Sequence, residues 1–314
     1  MLDITFAEDI HKGLSASLKH ISSKYFYDDI GSVIFQDIMK MPEYYPTACE
    51  FEILSLQGEK IIEKLNFAEP FNIVELGAGD GVKTRQLLKL LMEKEVDFSY
   101  VPVDISSKAI EELKINMLTH LPALKIRPLI GNYFSMISEL ASSSTPSLFL
   151  FLGGNIGNYE PEEINNLLSG FHRNMKTNDK LLTGFDLQKN PITIRLAYDD
   201  PQGITKAFNF NLLNRINREL GGNFNLNQFD FYSFYNPLNG EVRSYLVSLK
   251  EQRVTIRETG ECYTFAQNEL IWTELSKKYT LKEIEKTAVE NGFELMEHFL
   301  DCKHYFTDSL WIKP

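Results

Sequence analysis

A glycine-rich stretch is the first part of this chain whose residue types and spacing could do chemistry. The apolar run 71–76 leads into residues 77–81, Gly-Ala-Gly-Asp-Gly, and a helical pattern begins near residue 84. Because glycine has no Cβ and adopts positive φ easily, the backbone of such a turn can approach a ligand closely. The first turn of the following helix adds N–H groups that have no partner within the helix. The stretch therefore predicts a strand, a cofactor-binding turn and a helix.

Two cofactors compete for this turn. A dinucleotide site carries G-x-G-x-x-G and an acid about 20 residues later for the ribose. This turn is G-x-G-x-G, and the next strand-end acid, Asp104, lies later than that. S-adenosylmethionine needs a close-approach turn for its amino-acid tail, an acid after the second strand for the ribose diol, and a polar group after the third strand for the adenine amine. Gly77 with Glu75, Asp104 and Asn132 fill these roles in order, which favours S-adenosylmethionine.

The elements that must position these residues alternate from residue 71 onward. Strands are predicted at 71–76, 98–103, 124–130, 147–152 and 180–187. Helices are predicted between them at 83–94, 106–119, 134–141 and 161–175. Such alternation predicts an α/β fold with a parallel sheet covered on both faces. Ligands bind at the carboxyl ends of the strands in such sheets, which is where the candidate residues lie.

Two segments fall outside this alternation. Residues 7–66 are predicted to be mostly helical, and Thr47 with Glu50 fits a capping box for one of these helices. Residues 188–278 are predicted to be an insertion, helical from 190 to 222 and made of strands from 229 to 276. The alternation then resumes with a capping box at Thr280 and two closing strands, at 293–300 and 304–312.

Composition restricts the partners and the compartment. The chain has 32 Lys and Arg against 43 Asp and Glu, a formal charge of −11 without a basic run, so neither nucleic acid nor an anionic membrane is expected. The three cysteines are scattered, which predicts neither a disulfide framework nor a metal site. We expect a cytoplasmic protein because no signal-peptide core and no apolar run of roughly 20 residues occurs. The oligomeric state is undetermined, with a monomer favoured.

Six motifs, taken together and in order, resemble the histidine-specific Nα-methyltransferases of ergothioneine biosynthesis. They lie at 24–28 (Lys-Tyr-Phe-Tyr-Asp), 42–47 (Pro-Glu-Tyr-Tyr-Pro-Thr), 75–79 (Glu-Leu-Gly-Ala-Gly), 151–158 (Phe-Leu-Gly-Gly-Asn-Ile-Gly-Asn), 197–200 (Ala-Tyr-Asp-Asp) and 273–276 (Thr-Glu-Leu-Ser). The resemblance covers nearly the whole chain. It implies a class I, Rossmann-like methyltransferase domain at 47–187 plus 279–314, and an α+β substrate-binding domain at 1–46 plus 188–278. The implied reaction is the methylation of the α-amino group of L-histidine by S-adenosylmethionine, to the trimethylated betaine.

The resemblance also implies roles for particular residues. The cofactor would be held by Gly77, Lys83, Asp104, Asn132 and Tyr133. The amino-acid end of the substrate would be held by Tyr27, Tyr44, Asn158 and Tyr198. Among these, Asn158, Tyr198 and Tyr27 are the candidates for orienting the amine, with a tyrosine or water taking its proton. The side chain of the substrate would be recognised by Glu274 and Ser276.

The last two residues also have a physical argument of their own. Glu274 and Ser276 lie two apart on a predicted strand, so their side chains point to the same face. A carboxylate that accepts from one imidazole N–H and a hydroxyl that meets the other nitrogen would select histidine. A site built for polar groups strongly rejects analogues that lack them.

Several alternatives stay open on the sequence alone. The chain could methylate another amino acid or small amine, act as an NAD(P)-dependent dehydrogenase, or bind S-adenosylmethionine as a non-catalytic regulator. For the dehydrogenase, no His or Lys is evidently placed for hydride transfer. Individual residues also have structural interpretations: Asp104 could cap a helix, Asn132 could form a turn, Asn158 could cap the helix at Pro161, the tyrosines could pack in the core, and Glu274 with Ser276 could face solvent.

Overall fold

The computed structural model describes residues 4–104, 106–131 and 145–314. The chain divides into two compact units. The insertion unit comprises Met1–Tyr45 and Lys189–Lys277, and the sheet unit comprises Pro46–Gln188 and Lys278–Pro314. None of the described helices has the length and apolar character needed to cross a bilayer.

The strands and helices alternate through the sheet unit. The strands of the described chain are β1 (Phe71–Leu76), β2 (Phe98–Asp104), β3 (Leu129–Ile130), β4 (Ser147–Phe151), β5 (Lys180–Asp186), β6 (Phe229–Asn236), β7 (Glu241–Ser248), β8 (Gln252–Ile256), β9 (Glu261–Phe265), β10 (Leu270–Lys277), β11 (Glu294–Leu300) and β12 (Phe306–Ile312). The α-helices are α1 (Ile4–Ser15), α2 (Asp29–Lys40), α3 (Tyr45–Leu56), α4 (Gly58–Leu65), α5 (Thr84–Glu93), α6 (Ser107–His120), α7 (Pro161–Asn174), α8 (Pro191–Tyr198), α9 (Ile204–Leu220) and α10 (Leu281–Glu290).

The sheet unit is built on a seven-stranded sheet in the order β11-β12-β5-β4-β1-β2-β3. The strands from β1 to β5 pair in parallel, whereas β12 runs antiparallel to both β5 and β11. The predicted α/β class with a mostly parallel sheet is confirmed. Strand order reverses between β1 and β4, and the crevice at the carboxyl ends of these strands is where such sheets bind ligands.

Local sequence explains most of these elements. The strands β1, β4 and β5 are buried along their whole length, so they appear in the sequence as continuous apolar runs. Ser106 caps α6 by accepting from the backbone N–H of Ala109 at 3.2 Å. Thr280 and Glu283 form the predicted capping box of α10.

The third strand is shorter than predicted. Only Leu129–Ile130 pairs with β2 as a strand, whereas the sequence predicts 124–130. Residues 125 and 127 exchange backbone hydrogen bonds with Tyr100, each at 2.8 Å, but the next residue of β2 whose N–H would face this strand is Pro102, which has no N–H to continue the ladder. The predicted helix at 134–141 lies outside the described residues.

The insertion unit contains a three-stranded antiparallel sheet, β10-β7-β6, and the hairpin β8-β9. The single predicted helix from 190 to 222 is wrong, because α8 and α9 are separate helices. The carboxylate of Asp200 accepts from the N–H groups of Ile204 and Thr205, at 2.9 and 2.8 Å, and so caps α9 from the turn before it. The helix α9 packs on the N-terminal helices, with Phe208 stacked on Phe26 at 4.4 Å between ring centroids.

Candidate active site

The glycine turn after β1 has the backbone conformation that its sequence predicts. Gly77, Gly79 and Gly81 have φ values of 69°, 55° and 69°. At Gly79 a side chain would meet no described atom within 4 Å, so it is the positive φ that favours glycine there, and the backbone stays open to a ligand. At Gly81 a Cβ would lie 2.2 Å from Met117 Cε, so glycine is also needed for packing against α6.

Glu75 supports this turn from inside the protein. Its carboxyl is buried and accepts hydrogen bonds from the hydroxyls of Thr84 and Tyr100. Burial raises the pKa of Glu75 to about 7, although these two hydrogen bonds oppose the shift. Glu75 thus ties β1 to the start of α5 and to β2. Both of its oxygens accept hydrogen bonds within the protein.

Asp104 ends β2, next to the glycine turn in the sheet. Its carboxylate accepts from the N–H of Ser106 at 2.9 Å, which fixes the side chain at the strand end. The residue that caps α6 is Ser106, so the capping interpretation of Asp104 is wrong. Two further predicted cofactor residues, Asn132 and Tyr133, lie outside the described residues.

Lys83 precedes α5, and its ammonium pairs with the carboxylate of Glu50. The predicted capping box of Thr47 and Glu50 is wrong, because α3 begins at Tyr45 and Glu50 is fully buried. Glu50 also accepts from the N–H of Gly153 at 2.7 Å, in the turn after β4. The helical spacing of the sequence does indicate that Glu50 is buried. Positions 49, 50, 53 and 54 form one face of α3, and the three residues on this face besides Glu50 are apolar and buried.

Asn158 ends a short 3-10 helix, Asn155–Asn158, that follows β4. The helix α7 begins at Pro161 and is capped by Glu160, which forms a capping box with Glu163. The interpretation of Asn158 as a helix cap is therefore wrong. Its position at the carboxyl end of β4 places it among the turns that bind ligands in such sheets.

The insertion unit brings three of the predicted tyrosines around one aromatic cluster. Tyr198 ends α8 with 7% of its surface exposed, and its ring lies 6.3 Å from that of Tyr44 between centroids. Tyr44 packs edge-on against Phe35 at 6.3 Å, and Tyr27 contacts the same ring at 5.4 Å. Tyr27 is 47% exposed, so it lies at the open end of this cluster. All three tyrosines pack against other aromatic rings, but Tyr27 is also partly exposed, so packing alone does not describe it.

The tyrosine cluster is linked to the predicted side-chain recognition residues. The hydroxyl of Tyr198 and that of Ser276 share a hydrogen bond of 2.9 Å. On β10, Ser276 pairs with Val242 and Glu274 pairs with Ser244 of β7, and both β7 residues are buried. Cross-strand partners share a face of the sheet. Ser276 is itself buried, so the solvent-facing interpretation is wrong for it, and Glu274 lies half-buried on the same face.

The sheet order, the glycine turn after β1 and the acid that ends β2 are compatible with an S-adenosylmethionine-dependent methyltransferase. A family model described as "Histidine-specific methyltransferase, SAM-dependent" matches residues 6–313. The chain belongs to this family. The family assignment, the enzyme class and the cofactor predicted from the sequence are confirmed, and the dehydrogenase alternative is not supported.

Relatives of known activity cover most of the chain. A histidine N-alpha-methyltransferase of Mycolicibacterium smegmatis is 31% identical over 97% of this chain and 94% of that protein. An ergothioneine biosynthesis protein 1 of Schizosaccharomyces pombe is 27% identical over 95% of this chain and 39% of that longer protein. An L-tryptophan methyltransferase of Psilocybe serbica is 27% identical over 90% of this chain and 85% of that protein.

Proposed function

We propose that the protein transfers methyl groups from S-adenosylmethionine to the α-amino group of L-histidine and yields the trimethylated betaine. The observation that carries this proposal is the link between Tyr198 and Ser276 at 2.9 Å, on the face of the sheet that also carries Glu274. This hydrogen bond joins a tyrosine proposed for the amino-acid end to one group proposed for the imidazole, and the second such group, Glu274, lies on the same face of the sheet. Family membership and the histidine methyltransferase relatives support the same substrate.

The sheet unit supplies the proposed cofactor contacts. Gly79 presents open backbone in the turn that Gly77 begins with a positive φ, and Asp104 lies at the end of the neighbouring strand β2. These groups suit an amino-acid tail and a ribose diol, and when bound the cofactor supplies a methyl group carried on a cationic sulfur. Lys83 completes the described contacts, and the proposal also includes Asn132 and Tyr133 for the adenine end.

The amine end is assigned to Tyr27, Tyr44, Asn158 and Tyr198. A free α-amine titrates at about 8–9, so a fraction of it is already neutral and nucleophilic. Positioning is then the main contribution of these residues, and it can lower the barrier by several kcal/mol. Aromatic walls with few obligatory donors also suit a nitrogen that gains methyl groups, because each transfer removes an N–H. A tyrosine hydroxyl or a water molecule would take the proton.

The imidazole end is assigned to Glu274 and Ser276. Tyr198 can donate to Ser276 or accept from it, so Ser276 can meet an imidazole nitrogen as donor or acceptor. The half-buried carboxylate of Glu274 would accept from the other nitrogen. Such an arrangement discriminates against apolar side chains, because those would leave buried polar groups without partners.

A second candidate is methylation of another amino acid. The L-tryptophan methyltransferase of Psilocybe serbica supports this candidate, since its similarity extends over 90% of this chain and 85% of that protein. An indole has one N–H and no acceptor nitrogen, so it would satisfy Glu274 but not a donating Ser276. The remaining expectations, a cytoplasmic protein without nucleic-acid or membrane partners, are part of the proposal.

A substrate panel tests the proposal. The protein is incubated with S-adenosylmethionine and each of the proteinogenic amino acids, and the products are identified by mass spectrometry. We expect mono-, di- and trimethylated histidine, with little methylation of any other amino acid. Methylation of tryptophan in preference to histidine would support the second candidate, and absence of methylated histidine would refute the proposal.

A further inference from the structure

A cluster of charged groups inside the sheet unit has no role in the function described so far. Glu50 of α3 is fully buried, and its carboxylate holds both the ammonium of Lys83 and the N–H of Gly153. Lys83 follows the turn after β1, and Gly153 lies in the turn after β4. Glu50 therefore connects the two turns that flank the reversal of strand order.

A second carboxyl lies beside Glu50. Asp308 of β12 is 0% exposed, and among the described residues no N–H or hydroxyl group donates a hydrogen bond to either of its oxygens. Asp308 pairs in register with Gly184 of β5, so the two residues share a face. A Cβ on Gly184 would lie 2.4 Å from Glu50 Oε1, which shows that the Glu50 carboxyl occupies the space above Gly184 and next to Asp308.

Two buried carboxyls this close cannot both be ionised. Carboxylates only accept hydrogen bonds and repel each other, whereas a single proton lets one carboxyl donate to the other. Burial and the neighbouring Glu50 raise the pKa of Asp308 well above its usual value. Burial lowers the pKa of Lys83, but the Glu50 carboxylate outweighs it, so the lysine stays charged. The remaining titratable neighbour is Glu75, whose charge acts on both Glu50 and Lys83.

We propose that Glu50 and Asp308 share one proton, that the single negative charge left on them balances Lys83, and that the pair positions Lys83 and the Gly153 N–H for S-adenosylmethionine. This inference rests on the proposed contact between Lys83 and the cofactor. Glu50 and Asp308 are then positioning residues, because neither reaches the surface. Lys83, with 23% of its side chain exposed, is the member of the cluster that can touch a ligand.

The sharing of one charge predicts an unusual pattern of substitutions. In Glu50→Gln the remaining Asp308 ionises and takes over as the partner of Lys83. In Asp308→Asn the amide donates to Glu50 as the acid did. Each single variant should raise the Kd for S-adenosylmethionine by no more than about threefold, whereas the double variant leaves the lysine charge unbalanced and should raise it at least about 30-fold. The Kd of every variant is measured at the same pH, above 7, so that the charge of Glu75 does not differ between the variants.

Stability measurements show whether the double variant fails for the proposed reason. Adding Lys83→Met to the double variant removes the unbalanced charge, and the Tm should recover towards the wild-type value. Asp186→Asn is the matched control, since Asp186 forms a buried ion pair with Lys278 at 2.8 Å. This single substitution removes the carboxylate that pairs with Lys278, and it should lower the Tm more than Glu50→Gln or Asp308→Asn does.

Three results would overturn the inference or part of it, and each differs from a failure of the proposed function. If the Kd effects of the two single variants simply add in the double variant, the carboxyls do not share a charge. Infrared spectra recorded above pH 7 should show a protonated carboxylic acid band in the wild type, and this band should be missing from both single variants. If the wild type has no such band, the two carboxyls do not share a proton. If Lys83→Met leaves the Kd unchanged, the cofactor role of Lys83 fails, and with it the positioning role of the pair.

Discussion

Glu75 should make the folded protein less stable as the pH rises towards neutrality. Its folded-state pKa is about 7 against an ordinary value of 4.5, because burial disfavours the charged form. Between these two values the folded state binds more protons than the unfolded state, so the free energy of unfolding falls as pH rises through the window. Below about pH 4.5 Glu75 is protonated in both the folded and the unfolded state, so it causes no pH dependence of the free energy of unfolding there.

The size of this effect follows from the two pKa values. Raising a pKa from 4.5 to about 7 corresponds to about 3 kcal/mol, all of it lost once the pH exceeds the folded value. Glu75→Gln removes the titration and keeps an oxygen acceptor for the hydroxyls of Thr84 and Tyr100, each of which can also accept from the amide. The variant should therefore gain stability relative to the wild type as the pH rises from about 4.5 to 7.

Urea denaturation at a series of pH values measures this difference directly. The free energy of unfolding of the variant minus that of the wild type should rise by about 3 kcal/mol across the window and then level off. Glu69→Gln, at an exposed glutamate, is the matched control and should give a flat difference. A flat difference for Glu75→Gln as well would refute the argument that burial holds this carboxyl protonated beneath the glycine turn.

Three further predictions concern the proposed contacts. Glu274→Ala should raise the KM for histidine at least about 10-fold, which is the loss of one charge-assisted hydrogen bond, and leave the Kd for S-adenosylmethionine near the wild-type value; equal losses in both would make the residue structural. Tyr198→Phe removes the hydrogen bond to Ser276 and should lower kcat/KM for histidine about 10-fold. In a binding assay, the variant should lose less affinity for a histidine analogue without the α-amine than for histidine itself. Asp104→Ala should raise the Kd for S-adenosylmethionine about 10-fold or more by titration calorimetry, with an unchanged Tm; a fallen Tm and an unchanged Kd would assign it to the fold alone.

The parts of the fold that follow from sequence are those that local patterns encode. The buried parallel strands β1, β4 and β5 are continuous apolar runs, and their predicted limits agree with the observed ones to within a residue. The errors have local causes of a different kind. Pro102 of β2 interrupts the pairing with the third strand because it cannot donate to the ladder, and the capping carboxylate of Asp200 divides one predicted helix into two.

The candidate site divides in the same way. Gly77 and Asp104 could be proposed from the sequence because residues that directly follow successive strands lie at the ligand-binding edge of such a sheet. Tyr198 and Ser276 are far apart in the chain, and only the fold shows that they share a hydrogen bond. Glu50 was misassigned because a threonine three residues before a glutamate fits a capping box whether or not the glutamate is buried. Asp308 lies within a buried strand, and nothing local marks it as the neighbour of Glu50.

The central claim is methyl transfer to the α-nitrogen of histidine, and locating the transferred methyl groups tests it most directly. Histidine labelled with ¹⁵N at the α-position is incubated with the protein and S-adenosylmethionine carrying a ¹³C-methyl group, and the product is examined by NMR. We predict a one-bond ¹³C–¹⁵N coupling, with three equivalent methyl groups at the end of the reaction. Methyl signals without that coupling, which would place the groups on the imidazole ring, or no labelled histidine product at all, would contradict the account.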